Sequence, residues 1–420
     1  MGMDENETHK ELSEYKKNTV LKKPTVLLVH NYYRLAGGED SVVASEKKML
    51  EENGHRVILY SRSNSEIQGM NFFRKLCLPF TAVFSLGTYR AVREIIRREG
   101  IDIVHVHNTL SLVSPSVFYA AFSHSIPVVQ TLHNFRMECP NGLFFRDGQV
   151  CEECLEKGLW KSVAHKCYRN SRIQTLVSAL AIKIHRLLGT YKRIYYICLS
   201  DFNKQKLLEL NRNQARQIID KDRVFVKPNF ADVEGEPVPY PQRENQCVFA
   251  GRLEEIKGVR VLLQAWAEIK NIKLILCGRG PLDAWCREYV EANRLENVEI
   301  KGHINHGELI GIIRRSRALI LPSMVYEGFP MTIAESMACG TPVICSDFGN
   351  AGSLIADGQN GLKFQKGSVD DLRRKVSLLR DMTAASYRIY EKKYAKEENY
   401  KMLIGIYRKA GAVKGCLRNS

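Results

Sequence analysis

The chain has 420 residues, of which 45% are hydrophobic and 26% charged, and its formal net charge at pH 7 is +16. Single hydrophobic cores stop growing at about 250–300 residues, so this length predicts two domains. No apolar run reaches the ~20 residues that a membrane-spanning helix needs. The segment over residues 1–23 is polar and lacks the apolar core of a secretory signal, so we expect a polar tail and a cytoplasmic protein.

Short apolar runs alternate with helical patterns through the first half of the chain. The run PTVLLVH (residues 24–30) precedes a glycine loop, a helical stretch over residues 41–53 and a second strand, HRVILYS. Strand, loop, helix and strand in this order predict a βαβ unit. Further strands are predicted within residues 101–108, 126–134 and 193–201. The pattern favours an α/β domain with a parallel sheet over residues 24–215.

The second half repeats this alternation after a strand, RVFVKPNF, and a proline-rich joint, EPVPYPQREN. New strands are predicted within residues 247–253, 272–280, 298–303, 317–323 and 341–347, with helices over residues 259–269, 282–293 and 308–315. A second domain is therefore predicted over residues 216–384, followed by a helical segment within residues 385–415. The predicted fold class is α/β, with two Rossmann-like doubly wound domains facing each other across a cleft, where such sheets bind ligands.

The positive charge is concentrated in the first half. Residues 74–98 carry six basic side chains and one acidic side chain, mixed with apolar residues in the run NFFRKLCLPFTAVFSLGTYRAVREIIRR. This mixture is typical of a helix lying on an anionic membrane, and a solvated helix face over an ordinary core is the alternative. Nucleic-acid binding would also explain the charge, but no zinc-finger His pair, RNP motif or helix-turn-helix is visible, so we expect no nucleic-acid partner.

Two loops that follow predicted strands carry residues suited to a phosphate. Arg252 and Lys257, in GRLEEIKGV, come after the strand CVFAG and before a helix. Arg offers fork-like donors, Lys offers a point charge, and a helix start adds its dipole. Gly278 and Gly280 follow the strand IKLILCG and would allow backbone to approach a ligand closely. The alternative is that both cations are ordinary surface charges.

The stretch MVYEGFPMTIAESMACG contains a helix start between two acids. Pro330 suits a first helical position, and a helix over residues 331–339 would end before a C′ glycine, Gly340. The free N–H groups of Gly328, Phe329 and Met331 would then form an anion site.

Glu327 and Glu335 flank this predicted anion site. A carboxylate repels a phosphate but accepts hydrogen bonds from two hydroxyls, so each acid can hold a diol such as a ribose or a sugar ring. An ordinary loop acid and a helix-dipole partner are the alternative readings of the two residues. Together with the neighbouring cations and glycines, the two acids predict a nucleotide-sugar site.

The pattern Glu-Gly-Phe-Pro-Met-Thr-Ile-Ala-Glu resembles the E-x7-E signature of the retaining glycosyltransferases of family 4 (group 1), including the bacterial surface-polysaccharide enzymes. GRLEEIKG resembles the diphosphate loop of that family, LAGGED its first glycine-rich loop, TLHN its acceptor-side histidine and KPNF its hinge. The hinge departs from the family, which often has Pro-Asn-Gly. The resemblance covers residues 24–410 and implies the GT-B fold, with an acceptor-binding first domain and a nucleotide-sugar-binding second domain.

The resemblance implies a role for each matching residue. Arg252 and Lys257 would neutralise the leaving diphosphate, Glu335 would hold the donor ribose, and Glu327 would contact the transferred sugar. The backbone of Gly328, Phe329 and Pro330 would lie along that sugar. Gly37, Gly38 and His133 would face the donor phosphate and the acceptor from the first domain, and the C-terminal segment would cross back to that domain. Among these residues, we assign the catalytic role to His133, Glu327, Arg252 and Lys257.

The implied reaction is retaining transfer of a hexose or N-acetylhexosamine from a UDP- or GDP-sugar to a saccharide or lipid-linked acceptor, without a catalytic metal. The implied setting is capsule, exopolysaccharide or lipopolysaccharide synthesis, with peripheral contact on the inner face of the cytoplasmic membrane. A nucleotide-sugar epimerase of the same fold is the main alternative. A dinucleotide oxidoreductase is disfavoured because no G-x-G-x-x-G follows the first strand.

Four cysteines lie close together in the insertion over residues 139–167. They are Cys139, Cys151, Cys154 and Cys167, and the middle pair forms a C-x2-C knuckle. Such spacing is typical of a structural Zn2+ site, and a cytosolic location disfavours disulfides. Disulfides or free thiols are the alternatives.

Overall fold

The computed structural model describes residues 23–34, 37–212 and 216–412. All but one residue of the predicted polar tail over residues 1–23 lies outside the described residues. So do residues 413–415 at the end of the predicted C-terminal segment.

The first half forms a six-stranded parallel sheet in the order β2-β1-β3-β4-β7-β8. Its strands are β1 (Val26–Tyr32), β2 (Val57–Ser63), β3 (Ile103–Val106), β4 (Val128–Leu132), β7 (Tyr195–Cys198) and β8 (Val224–Val226); the two-residue strands β5 (Phe145–Arg146) and β6 (Gln149–Val150) form a separate hairpin. The helices of this half are α1 (Gly38–Glu52), α2 (Phe72–Val83), α3 (Leu86–Glu99), α4 (Ser116–Phe122), α5 (Glu153–Glu156), α6 (Trp160–Ala164), α7 (Arg172–Leu187) and α8 (Asp201–Leu208).

Two features of the first half differ from the sequence prediction. Helix α1 begins three residues earlier than predicted, because the Asp40 carboxylate accepts a hydrogen bond from the backbone N–H of Gly37 at 3.0 Å and closes the helix start. Strand β8 pairs with β7, so the first sheet continues beyond residue 215, where the sequence predicted that the first domain ends.

The second half forms another six-stranded parallel sheet, in the order β11-β10-β9-β12-β13-β14. Its strands are β9 (Gln246–Ala250), β10 (Lys273–Cys277), β11 (Val298–Gly302), β12 (Ala318–Leu321), β13 (Val343–Ser346) and β14 (Gly361–Phe364). Its helices are α9 (Val259–Glu268), α10 (Asp283–Ala292), α11 (His306–Arg315), α12 (Met331–Ala338), α13 (Gly349–Leu354) and α14 (Val369–Ser377). Strands β9, β10, β12 and β13 are buried over nearly their whole length, which is why they are continuous apolar runs in the sequence. The edge strand β11 is only partly buried and alternates apolar with charged residues.

The C-terminal segment forms two helices where the sequence pattern predicted one: α15 (Thr383–Lys393) and α16 (Lys396–Lys409). The break follows Tyr394, whose ring is buried in the second domain. Helix α15 packs on α12, whereas α16 places Leu403 and Tyr407 against Val26 and Leu28 of the first sheet. Of the helices described here, none is both long and apolar enough to cross a membrane.

A buried ion pair joins the first domain, the hinge and α16. The ammonium of Lys227, just after β8, lies 3.1 Å from Glu46 of α1 and donates to the side-chain oxygen of Asn399 at 2.8 Å. Asn399 in turn donates to the carbonyl of Pro228 at 2.6 Å. Burial alone would raise the pKa of Glu46, but Lys227 and His105 hold it well below its usual range. The pair is therefore charged, and it fixes the hinge against the C-terminal helix.

We predict that Lys227→Met destabilises the protein, because the Glu46 carboxylate would stay buried without its partner. Breaking a buried pair in this way costs about 3–5 kcal/mol. Urea unfolding followed by circular dichroism measures the loss. The control is Lys47→Met, which removes an i,i+4 surface pair with Glu51 and should cost less than about 0.5 kcal/mol. Equal losses for the two variants would contradict a structural role for the buried pair.

Candidate active site

The loop that follows β12, residues 322–330, is pressed against the first domain. A Cβ atom at Gly328 would lie 1.9 Å from the carbonyl oxygen of His133, which follows β4. Such a distance is impossible for any side chain, so only glycine permits this approach between the two domains. The carboxyl ends of β4 and β12 are thereby brought together at the bottom of the cleft.

Buried amides hold the same loop. Asn350 at the start of α13 donates to the carbonyls of Glu327 and Gly328 at 2.5 and 2.6 Å, and Asn203 of α8 donates to Gly328 at 3.0 Å. Asn350 also hydrogen-bonds Asn203 and Ser200 across the cleft. Because buried carbonyls need donors, this network fixes the loop carrying Glu327 relative to both sheets.

An aromatic cluster closes one side of the cleft. Tyr326 stacks on Phe348 with ring centroids 4.6 Å apart and meets Phe202 of the first domain edge-on at 4.8 Å. Its hydroxyl donates to Glu152 at 2.9 Å, and burial raises the pKa of Tyr326, with the carboxylate adding to the effect. Glu152 lies in the cysteine-rich insertion, so that insertion contacts the second domain directly.

Lys257 and Glu327 form the centre of the site on the second domain. The Lys257 ammonium lies 2.7 and 2.8 Å from the two carboxylate oxygens of Glu327, and the Ser323 hydroxyl donates to the same carboxylate at 2.5 Å. Lys257 precedes Gly258, which adopts a positive φ of 71° beneath the carbonyl of Pro322. The two residues that the sequence placed in separate loops are therefore direct partners.

The other predicted residues near the diphosphate loop have different surroundings. Arg252 is 64% exposed and lies 3.4 Å from Glu254, so its guanidinium is accessible to a ligand. A Cβ at Gly278 would lie 1.8 Å from the carbonyl of Gly251, and one at Gly280 would lie 2.4 Å from that of Leu253. These glycines are therefore required because two loops of the protein pack together. From the sequence we expected them instead to allow the backbone to approach a ligand.

Helix α12 begins at Met331, and Pro330 is its N-cap. The prediction of Pro330 as the first helical residue is therefore wrong by one position, because its ψ of 102° is extended. Gly340, with φ +60°, ends the helix as predicted. Phe329 packs edge-on against Tyr394, with ring centroids 5.9 Å apart.

The glycine loop of the first domain faces this helix start. A Cβ at Gly38 would lie 3.9 Å from the Met331 side chain, and one at Gly37 would meet nothing within 4 Å. The N-termini of α1 and α12 therefore approach one another from the two domains. Burial raises the pKa of Glu39, in the first turn of α1, to about 8, so this acid is largely neutral near an anion site at pH 7.

Glu335 lies one turn into α12 and is mostly buried. His306, at the start of α11, lies 3.0 Å from its carboxylate, and this hydrogen bond raises the pKa of His306. His306 is itself 63% exposed, so a ligand hydroxyl can replace it on Glu335 without burying an unpaired charge. The site therefore has one carboxylate, Glu327, in the loop before α12 and another, Glu335, one turn into that helix.

Three histidines of the first domain, His105, His107 and His133, are stacked in a row beside the cleft. His107, just after β3, lies 2.9 Å from His133 between ring nitrogens, and its other nitrogen lies 3.3 Å from Glu46. Burial and the neighbouring His105 lower the pKa of His107 to about 4, and burial also lowers the pKa of His133 well below its usual value. Both rings are therefore neutral at pH 7.

Neutral rings in this arrangement have one favoured proton pattern. The Glu46 carboxylate favours a proton on Nε2 of His107, which leaves Nδ1 to accept a hydrogen bond from Nε2–H of His133. His133 then presents an unprotonated Nδ1. A ring nitrogen of this kind accepts a hydrogen bond from a hydroxyl group.

The same cluster is the one place among the described residues where three potential metal ligands lie within 4.8 Å of one another: Glu46, His105 and His107. Lys227 already supplies a positive charge 3.1 Å from Glu46, and Tyr407 and Thr131 hydrogen-bond both nitrogens of His105 at 2.8 Å. These contacts join Glu46 and His105 to their neighbours, while Oε1 of Glu46 and Nε2 of His107 have no hydrogen-bond partner among the described residues.

The four cysteines of the insertion are gathered around the β5–β6 hairpin. A hydrogen bond from Cys154 lowers the pKa of Cys139. No three of the four sulfur atoms meet the 4.8 Å spacing, and all four residues are described. All are free thiols in this structure.

Several site residues were not predicted from the sequence. Ser323, His306, Asn350 and Asn203 contact predicted residues but lie in segments without a distinctive motif. His107 had a usable signal, since it directly follows the buried strand IVHV and precedes Asn108 in the order found again at His133 and Asn134. Polar residues just past a strand end lie at the ligand edge of a parallel sheet.

Two family models match the chain. Residues 36–234 match Glycosyltransferase Family 4, and residues 234–397 match Glycosyl transferases group 1. The two matches meet at residue 234, between the two sheets, and together include almost all residues of both domains.

Known proteins resemble the chain over most of its length or over part of it. An uncharacterized glycosyltransferase of Methanocaldococcus jannaschii is 26% identical over 84% of this chain and 87% of that protein. O-antigen chain mannosyltransferase B of Escherichia coli is 27% identical over 41% of this chain and 48% of that protein. The structure of Anabaena HepE with UDP and glucose has a TM-score of 0.62 at 15% identity, over 92% of this chain and 100% of that one. The chain is therefore a glycosyltransferase with the two-domain GT-B fold, in which the family 4 model covers most of the first domain and the group 1 model most of the second.

Proposed function

We propose that the protein transfers a hexose or N-acetylhexosamine from a nucleotide-diphosphate sugar to a saccharide acceptor, with retention of the anomeric configuration. The observation that carries this proposal is the pairing of two carboxylates, Glu327 and Glu335, around a helix start that faces a glycine loop from the other domain. The complex of HepE with UDP and glucose supports a nucleotide-sugar donor on this fold.

In the proposed complex, the diphosphate lies at the N-terminus of α12. Backbone N–H groups of Phe329 and Met331 and the guanidinium of Arg252 would carry its charge. Lys257, which has three N–H donors, would bridge the leaving phosphate and Glu327. These fixed charges stabilise the leaving group without reorganisation, which is the usual source of electrostatic catalysis.

The Glu327 contacts support a sugar-holding role over a nucleophilic one. Both of its oxygens are engaged by Lys257, and one also accepts from Ser323, so three of its about four acceptor sites are occupied and one remains for a sugar hydroxyl. In the proposed step, the bond from the sugar C1 to the diphosphate oxygen breaks while the acceptor oxygen bonds to C1 on the same face. The acceptor proton passes to the leaving phosphate, and a nucleoside diphosphate leaves.

We predict that one nucleotide class among UDP-, GDP- and ADP-sugars raises the melting temperature of the wild-type protein. Glu335→Ala and Lys257→Ala should lose this shift, because the ribose and diphosphate contacts are removed. Differential scanning fluorimetry measures it. Glu299→Ala is the control, since Glu299 pairs with Lys273 and Lys301 on the surface of the same domain and should leave the shift intact.

No stabilisation of the wild type across the panel would overturn the donor assignment. A nucleotide-sugar epimerase is the competing function, and incubation of the protein with donor alone separates the two. An isomerised sugar would identify an epimerase, whereas the proposed transferase requires an acceptor. The anomeric signal of the transferred sugar in proton NMR tests retention.

We infer a cytoplasmic role in surface-polysaccharide synthesis. The similarity to an O-antigen mannosyltransferase supports this class of pathway. The described cysteines are free thiols, which agrees with a reducing compartment.

We also infer peripheral contact with an anionic membrane through α2 and the outer side of α7. Phe73 and Phe80 of α2 are 75% and 76% exposed, and Leu187 of α7 is 72% exposed. Between Glu156 and Asp201 the chain has nine lysines and arginines and no acidic residue. Exposed apolar side chains with basic neighbours insert between lipids and attract their head groups.

We predict that the protein sediments with phosphatidylglycerol vesicles, and less with phosphatidylcholine vesicles because each basic contact adds about 1 kcal/mol on an anionic surface. The double variant Phe73→Ser and Phe80→Ser should stay in the supernatant. Leu378→Ser, which removes an exposed apolar side chain from the second domain, is the control and should sediment like wild type. Equal sedimentation of the double variant would contradict this membrane face.

We propose that Cys139, Cys151, Cys154 and Cys167 hold a structural Zn2+. The spacing and the gathering of all four thiols in one insertion support this, and thiolates are the ligands of structural zinc sites. The ion would stabilise the insertion that presents Glu152 to the second domain.

Elemental analysis of the purified protein tests the zinc proposal. We expect about one zinc per chain in the wild type and none in Cys151→Ser with Cys154→Ser, since a structural site needs four ligands. The control is Cys286→Ser, which changes a buried cysteine of the second domain. This variant should contain as much zinc as the wild type. A wild-type protein expressed with zinc in the medium but free of zinc would refute the site.

A further inference from the structure

A cavity of about 400 Å³ opens on the first domain, outside the donor site described above. Its inner end is polar and includes His107, His133 and Asn134. Its outer walls are formed by α2 and α7. The cavity therefore runs from the acceptor side of the catalytic cleft to the two helices of the inferred membrane face.

The outer walls are mostly apolar, and their polar members are Lys75, Gln174 and Ser178. Leu78, Pro79 and Ala82 line it from α2, and Val177 and Ala181 line it from α7. No residue of α2 is buried, so one side of this apolar helix covers the cavity while the other faces outward. An apolar lining of this kind fits a hydrocarbon chain, because burying such a chain removes it from water without unpaired polar groups.

The cavity lining also carries positive charge. Arg136, Arg169 and Lys75 line it. The Nε atom of Arg136 is buried and has no hydrogen-bond partner within the described chain. These guanidinium and ammonium groups suit a phosphate placed between the hydrocarbon chain and the histidines.

We propose that this cavity binds the hydrocarbon chain of a lipid-phosphate acceptor. The chain lies between α2 and α7, the phosphate lies at Arg136 and Arg169, and the saccharide hydroxyl reaches His133. On α2 the exposed apolar residues lie beside the residues that line the cavity. Phe72 is exposed and Pro79 lines the cavity, and the two lie two turns apart on nearly the same side of the helix. A lipid can therefore pass from the bilayer into the cavity without crossing water. This inference rests on the glycosyl transfer proposed above and names the acceptor class.

The test compares binding of dodecyl phosphate, below its micelle concentration, with binding of butyl phosphate and of dodecanol by equilibrium dialysis. Wild-type protein should bind dodecyl phosphate at least about tenfold more tightly than butyl phosphate, because each buried methylene contributes. It should also bind dodecyl phosphate more tightly than dodecanol, because the arginines contact the phosphate. Inorganic phosphate shows the contribution of the charge alone.

The decisive variant is Ala181→Phe, which fills the cavity from α7 and should weaken dodecyl phosphate binding at least about tenfold. Leu188→Phe, just past the end of the same helix and outside the cavity, is the matched control and should bind like wild type. If Ala181→Phe fails to fold, Ala82→Phe fills the cavity from α2 instead.

The thermal shift given by the nucleotide sugar is measured on the same samples. The cavity assignment is supported if a cavity-filling variant loses dodecyl phosphate binding but keeps the rise in melting temperature with the nucleotide sugar. Equal affinities for dodecyl and butyl phosphate, or unchanged dodecyl phosphate binding by the filled variants, overturn the assignment even when the donor shift is normal. A wild type that binds dodecyl phosphate but shows no donor shift overturns the proposed function and leaves a lipid-binding site.

Discussion

The contact between Gly328 and the carbonyl oxygen of His133 sets the geometry of the whole site. It joins the carboxyl end of β4 in one domain to the loop after β12 in the other, at a distance that no side chain permits. The amides of Asn350 and Asn203 hold the same loop from both sides. Because Glu327 directly precedes Gly328, this contact also fixes the carboxylate relative to the histidines of the acceptor side.

The charges of the site are arranged in pairs. Glu327 lies against Lys257, Glu335 against His306, and Glu46 against Lys227. The first two pairs border the cleft, and in the proposed complex the hydroxyls and phosphates of a nucleotide sugar replace the existing partners. The third pair is fully buried and serves the hinge. Burial thus separates a structural ion pair from two that remain available to a ligand.

The alternation of buried strands and helices could be predicted from the sequence because parallel strands covered on both faces are continuous apolar runs. The loop and helix of the E-x7-E stretch could also be predicted, since its glycine, proline and acids are close together in the sequence. The sequence did not predict the buried cluster of Lys227, Glu46 and Asn399, because its members are more than 170 residues apart along the chain. The break after Tyr394 was hidden for a related reason, as it depends on a pocket in the second domain.

Two glycines were correctly singled out from the sequence, but the structure gives a different reason why glycine is needed there. Gly278 and Gly280 appeared suited to a ligand, whereas the structure places the backbone of the neighbouring loop against them. A sequence motif records that a side chain is excluded, but it does not record which atoms exclude it. Only the tertiary structure distinguishes a ligand from a neighbouring strand end.

The most direct test of the account is a crystal structure of the protein with the nucleoside diphosphate that stabilises it. The account predicts the ribose hydroxyls on Glu335 in place of His306, and the diphosphate within hydrogen-bond distance of the Met331 N–H and Arg252. A nucleotide bound away from the N-terminus of α12, or with its ribose turned away from Glu335, would contradict it.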